Sequence, residues 1–168
     1  MHYAFDRWLA ENHPTVEFER YCDDAVVHCV SQRQAHQMRD AIARRLAEVG
    51  LELHPDKTRI VYCGPVGRHG PATPGQFTFL GFTFRPRLAF NEKIRQHFTS
   101  FLPAVSLDAR KRMGRTIRSW RLARRTDLTL QQLATKINRI VPGWINYYGR
   151  FYNTEMIHFL RLGRCFEK

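Results

Sequence analysis

The sequence predicts an α+β protein: an antiparallel sheet backed by a helix, followed by a basic bundle of three helices. Three observations carry this reading. Two strand-like runs flank the tetrapeptide Tyr21-Cys22-Asp23-Asp24, the first alternating apolar and polar and the second largely apolar and β-branched. Residues 31–49 carry an apolar stripe at helical spacing. Residues 101–168 hold 14 lysines and arginines against 4 acids, net +10, while residues 1–100 hold 13 against 11, net +2.

Residues 16–20 and 25–30 are the two strands, and the short acidic connection between them makes a hairpin. Adjacent carboxylates at such a turn repel one another unless a cation neutralises them. A solvated Asp-Asp turn is the plain alternative, since Asp is a common turn former. Ser31 and Gln34 form a capping-box signature at the start of the next helix. Ala35, Met38, Ile42, Leu46 and Val49 form its stripe, and Gly50 supplies a left-handed stop. Residues 51–53 and 59–62 read as short strands around a turn at His54-Pro55-Asp56-Lys57.

Residues 64–75 contain four glycines and three prolines and read as a loop. Their glycine spacing does not make a phosphate loop, because no helix signal follows. Phe77, Phe79 and Leu80 before Gly81, with Phe82 and Phe84 after it, fit a strand with a bulge or a close backbone approach. Arg85-Pro86-Arg87 is expected to end the sheet and begin a linker.

The remainder reads as helical. Leu107, Met113, Ile117 and Trp120 mark one face of a helix crowded elsewhere with arginine and lysine. Thr129 and Gln132 cap a second, bearing Leu130, Leu133, Ile137 and Ile140 and ended by Pro142-Gly143. Residues 144–151 and 156–162 suggest a third, broken helix. Trp120, Ile137, Trp144 and Tyr148 are expected in its core, with arginines outward, where planar guanidinium groups suit phosphate. Tyr147, Arg150 and Tyr152 are candidates to stack on unpaired bases.

Composition sets the limits. The net charge is +12 over 168 residues, and arginines interleaved with aromatics point to a polyanion partner such as nucleic acid. No run approaches the ~20 apolar residues of a membrane span, and the N-terminus lacks a signal-peptide pattern. Four cysteines (Cys22, Cys29, Cys63 and Cys165) show no zinc-type spacing and read as reduced thiols, so a cytoplasmic location is expected.

Tyr-x-Asp-Asp followed by a hydrophobic strand resembles the catalytic hairpin of reverse transcriptases. Residues 50–60, with Lys57-Thr58, resemble that family's Lys-Thr segment. Phe77-Thr78-Phe79-Leu80-Gly81-Phe82-Thr83-Phe84 resembles the strand motif that grips the primer end. Residues 115–152, with Ile117-Arg118-Ser119-Trp120 and Gly143-Trp144-Ile145-Asn146-Tyr147-Tyr148-Gly149-Arg150-Phe151-Tyr152, resemble the maturase-specific (thumb) region of group II intron-encoded proteins. The likeness spans nearly the whole chain. The closing aromatic run is its most specific part.

The resemblance implies a palm-derived segment over residues 1–90 and a maturase-specific segment over residues 91–168, truncated at its end. It implies an RNA-directed DNA polymerase that also assists splicing of intron RNA. Asp23 and Asp24 are the implied catalytic Mg²⁺ ligands, with Asp23 the preferred direct one. Tyr21 and Lys57 serve the nucleotide, though Lys57 is equally a solvated turn lysine. Phe79, Leu80, Gly81 and Phe82 serve the primer. Arg115, Arg118, Arg121, Arg124, Arg125, Tyr147, Arg150 and Tyr152 serve RNA. Implied partners are group II intron RNA and an RNA template with its DNA primer.

Only 20 residues precede Tyr21, and residues 1–9 look like the end of the helix before the catalytic hairpin. A complete enzyme of this family carries fingers and an earlier palm strand with another metal-binding Asp. Asp6, Glu11, Glu17 and Glu19 are the earlier acids here, and none replaces it convincingly. The two-metal site is therefore expected to be incomplete, and a separate fingers-palm partner is one way to complete it. A non-catalytic RNA-binding module and a degenerate remnant are the alternatives.

Overall fold

The computed structural model describes residues 1–64, 75–125 and 127–161. The chain divides into two compact units, Met1–Tyr62 and Cys63–Lys168. The predicted glycine-rich loop, apart from its end residues Gly64 and Gly75, lies outside the described residues, as do Leu162 and Cys165.

The first unit begins with a π-helical segment, His2–Arg7, continued by α1 (Trp8–Asn12). Strands β1 (Phe18–Tyr21) and β2 (Asp24–Val27) then pair antiparallel, with Phe18 opposite Val27 and Tyr21 opposite Asp24. Helix α2 (Gln32–Glu48) follows. Its stripe is buried at Met38, Ile42 and Leu46, against Phe5, Leu9 and Val16, with Phe18 and Val27 packed beside them. This is the hairpin backed by a helix that the apolar patterning predicts.

The ends of α2 follow from local chemistry. Ser31 Oγ accepts from Gln34 N at 3.2 Å, but Gln34 Oε1 accepts from Val30 N, so the box closes one residue upstream. At the other end Gly50 (φ +72) donates to Ala47 O and Leu51 N donates to Leu46 O, a Schellman motif. Residues 51–53 and 59–62 are not assigned as strands, contrary to expectation. Runs of three and four residues are too short to hold as strands without a neighbouring ladder to join.

In the second unit β3 (Phe77–Phe79), β4 (Phe82–Asn91) and β5 (Gln96–Val105) form a three-stranded meander in the order β3-β4-β5. The sheet does not end at Arg85-Pro86-Arg87, and residue 90 lies inside β4. Proline is a poor member of a central strand. Among the described residues, however, β3 pairs only as far as Phe84, so Pro86 sits where β4 has β5 alone for a neighbour. Asn91 Oδ1 accepts from Lys93 N and Ile94 N and closes the β4–β5 connection as a local side-chain turn.

Four α-helices follow where three are predicted: α3 (Leu107–Ser119), α4 (Leu130–Ile137), α5 (Val141–Tyr148) and α6 (Asn153–Arg161). Thr129 and Gln132 make the predicted reciprocal capping box. Pro142 opens α5 instead of ending α4, because a first-turn proline has no helical N–H to lose. Met113, Ile117 and Trp120 are buried as expected, whereas Leu107, in the first turn of α3, and Leu130, in the first turn of α4, are exposed. One core joins Val105, Ala109, Met113 and Met156. Another joins Ile117 and Trp120 to Ile137, Val141 and Trp144, with the Trp120 and Trp144 rings stacked at 6.0 Å.

Glu155 ties the second unit together. Its carboxylate accepts from Arg87 at 2.7 Å and Arg85 at 3.2 Å on β4, and from Arg110 at 3.3 Å on α3. Arg87 is buried, and its other nitrogens reach Leu102 O and Thr83 O. Burial pushes the Glu155 carboxyl upward, but the Arg87 hydrogen bond, the Arg87 and Arg110 charges and the Arg85 hydrogen bond outweigh it and hold it below the ordinary range.

Candidate functional site

The acidic hairpin turns through only Cys22 and Asp23, between Tyr21 and its cross-strand partner Asp24. Cys22 has φ +54, a left-handed conformation unfavourable for a residue with a Cβ. Arg20 supports it. Its Nη1 donates to Cys22 O at 2.6 Å, while its Nε and Nη2 donate to the two oxygens of Asp6 at 2.5 and 2.6 Å. That hydrogen bond is the main reason the Asp6 carboxyl lies below its usual range, against the opposing effect of burial. Asp6, unpromising as a metal ligand in the sequence, is thus committed to an arginine. The sequence held only a weak signal for the clamp: an arginine directly before the motif.

Tyr21, Asp23 and Asp24 are all exposed at this turn. Lys57 is exposed on the turn at residues 55–57, closed by Thr58 N donating to His54 O at 3.0 Å. These four residues lie in the first compact unit. The Phe79–Phe82 turn lies in the second.

That second turn is a two-residue connection between β3 and β4, with φ +50 at Leu80 and φ +80 at Gly81. Positive φ at both positions is the twist-matching geometry of tight hairpins, so the glycine marks a turn and not a bulge. Phe82 is buried under Tyr147, Tyr148 and Phe151, ring centres 5.2–5.5 Å away. The Tyr147 hydroxyl donates to Leu80 O at 2.9 Å.

Arg115, Arg118, Arg121, Arg124, Arg125 and Arg150 are exposed. Among the described residues none of them is held in an ion pair, the pairs of this unit being those of Glu155. Arg115 and Arg118 lie on the solvent side of α3, opposite Met113 and Ile117. Arg121 takes φ +50 as the chain leaves that helix. Tyr152 is half-buried: Arg87 lies 5.2 Å over its ring, and its hydroxyl reaches Leu88 O at 3.5 Å.

Two family models match this chain. Residues 1–84 match the reverse transcriptase (RNA-dependent DNA polymerase) model, and residues 110–165 match the group II intron, maturase-specific domain. The chain belongs to the group II intron reverse transcriptase/maturase family. No curated protein and no solved structure gives a significant match. The reverse transcriptase match covers the acidic hairpin, α2, the Lys57 turn and the Phe79–Phe82 turn. The maturase-specific match begins inside α3 and runs through α6. Reverse transcription and intron maturation are accordingly the functions of the family to which these segments belong.

Reverse transcriptases use Mg²⁺. Asp23 and Asp24 offer the hard oxygen donors such an ion prefers. Among the described residues, however, no group of three or more acidic, histidine or cysteine side chains is placed to hold a metal. Two carboxylates from one hairpin do not enclose a pair of ions, which need bridging ligands from an opposing strand. The donors present therefore do not by themselves fit a two-ion site. Among the described residues no helix is long and apolar enough to cross a membrane.

Proposed function

We propose that this chain contributes the catalytic hairpin and the primer-contacting turn of a group II intron reverse transcriptase, joined to the RNA-binding surface of its maturase region. Functionally, residues 1–90 act as the palm-derived part and residues 91–168 as the maturase-specific part. Asp23 and Asp24 are the Mg²⁺ ligands, with Tyr21 and Lys57 at the nucleotide and Phe79, Leu80, Gly81 and Phe82 at the primer. Arg115, Arg118, Arg121, Arg124, Arg125 and Arg150 meet the phosphates of intron RNA. Tyr147 and Tyr152 border the same surface.

The observation that carries this reading is the tight Tyr21–Asp24 turn. It leaves both carboxylates in solvent and is buttressed from behind by Arg20 and Asp6. A second reading, an RNA-binding module without polymerase activity, is favoured by the absence of a third clustered ligand among the described residues. Primer extension separates the two. The chain alone should not extend a DNA primer on RNA with Mg²⁺. A separate fingers-palm protein carrying the earlier Asp should restore extension, and Asp23→Ala should abolish it. Restoration that survives Asp23→Ala would refute the ligand assignment. No restoration by any such partner favours the module.

A further inference from the structure

The Leu80–Gly81 turn is held at both of its carbonyls. Leu80 O accepts from the Tyr147 hydroxyl on α5 at 2.9 Å, and Gly81 O accepts from the backbone N–H of Ser106, the N-cap of α3, also at 2.9 Å. Tyr148 fills the remaining space. A Cβ on Gly81 would stand 3.0 Å from its hydroxyl oxygen and 3.2 Å from its ring edge. Leu80 is a non-glycine residue at φ +50, which hydrogen bonds from neighbours must sustain. Tyr147 is 48% exposed.

We infer that Tyr147 is a positioning residue for primer engagement: its hydroxyl sets the orientation of the Leu80–Gly81 turn and couples that turn to helix α5. The inference rests on reading this turn as the primer contact. It assigns the Tyr147 hydroxyl, and not its ring face, the functional part. Its hydrogen-bonding partner is a backbone carbonyl, which no base-stacking role requires.

The test uses the full chain and a DNA primer annealed to RNA, with a photoactivatable 4-thiothymidine at the primer 3′ end. Wild type should cross-link within residues 75–84. Tyr147→Phe, which keeps the ring and loses the hydroxyl, should lower that cross-link about threefold to tenfold, as expected for one hydrogen bond of ordinary strength. Any loss of its affinity for structured RNA should be smaller than the loss of cross-link. Tyr148→Phe, whose hydroxyl does not hold a turn carbonyl, should behave as wild type. A wild-type cross-link that Tyr147→Phe leaves intact overturns the inference while sparing the primer reading. Loss of RNA affinity in Tyr147→Phe equal to the loss of cross-link also overturns it. No wild-type cross-link in residues 75–84 refutes the primer reading and the inference with it.

Discussion

Arg20 grips Asp6 with two nitrogens and Cys22 O with the third. An acid fourteen residues upstream thereby fixes a strained turn whose tip is the acidic pair. Both side chains are only about one-fifth exposed, at 19% and 20%, so the pair is poorly screened by solvent. Such a clamp suits a turn that must keep two mutually repelling carboxylates in one place.

Arg20→Ala should loosen this turn more than any other single truncation on the hairpin. It removes three charge-assisted hydrogen bonds and strands Asp6. Hydrogen exchange over residues 18–27 should accelerate. Protection in the second unit should not change. Unaltered exchange at the hairpin would show that the clamp is not what supports the turn.

Glu155→Gln should destabilise the second unit by roughly 2 kcal/mol, since three guanidinium groups lose their common counter-charge, partly offset by solvent at Arg85 and Arg110. Urea unfolding followed by the Trp120–Trp144 pair measures this. An unchanged midpoint would refute it.

The same carboxylate sets a pH dependence. Its folded pKa lies below the unfolded one. The folded state therefore binds its proton less readily, and the stabilisation is present at neutral pH. It should fade as pH falls below the ordinary Glu value of about 4.3 and vanish once the folded pKa is passed. Glu155→Gln should flatten this part of the profile. Identical acid slopes in the two proteins would contradict the assignment.

Gly81→Ala should cost about 1–2 kcal/mol, because alanine at φ +80 is strained and its Cβ meets Tyr148. Combining it with Tyr148→Ala should recover the contact part and leave the backbone part. Full additivity of the two would show that they do not touch.

RNA binding should weaken steeply with salt, since each phosphate contact releases about 0.7–0.9 of a counterion. Arg118→Ala and Arg121→Ala should each reduce the slope by up to about one unit. The titration is run with group II intron RNA and an unrelated RNA of equal length. Equal affinity for both would leave a nonspecific basic surface, and no binding at low salt would defeat the RNA assignment outright.

The sequence by itself determined what depends on near neighbours. The hairpin around Tyr21–Asp24 follows from two-residue alternation, and α2 from a stripe recurring every three or four residues. The Ser31 and Thr129 caps act within three residues, and the Gly50 stop acts within one turn. The basic character of the second half is a matter of counting. Only the tertiary structure decided that β4 continues past Pro86, because that depends on β3 having ended. It also decided the pairings of Asp6 with Arg20, Arg87 with Glu155 and Tyr147 with Leu80, which are separated by 14, 68 and 67 residues. No period links residues so far apart. A tyrosine in an aromatic run reads equally as core, stacking platform or strut until the fold brings a carbonyl within reach of its hydroxyl.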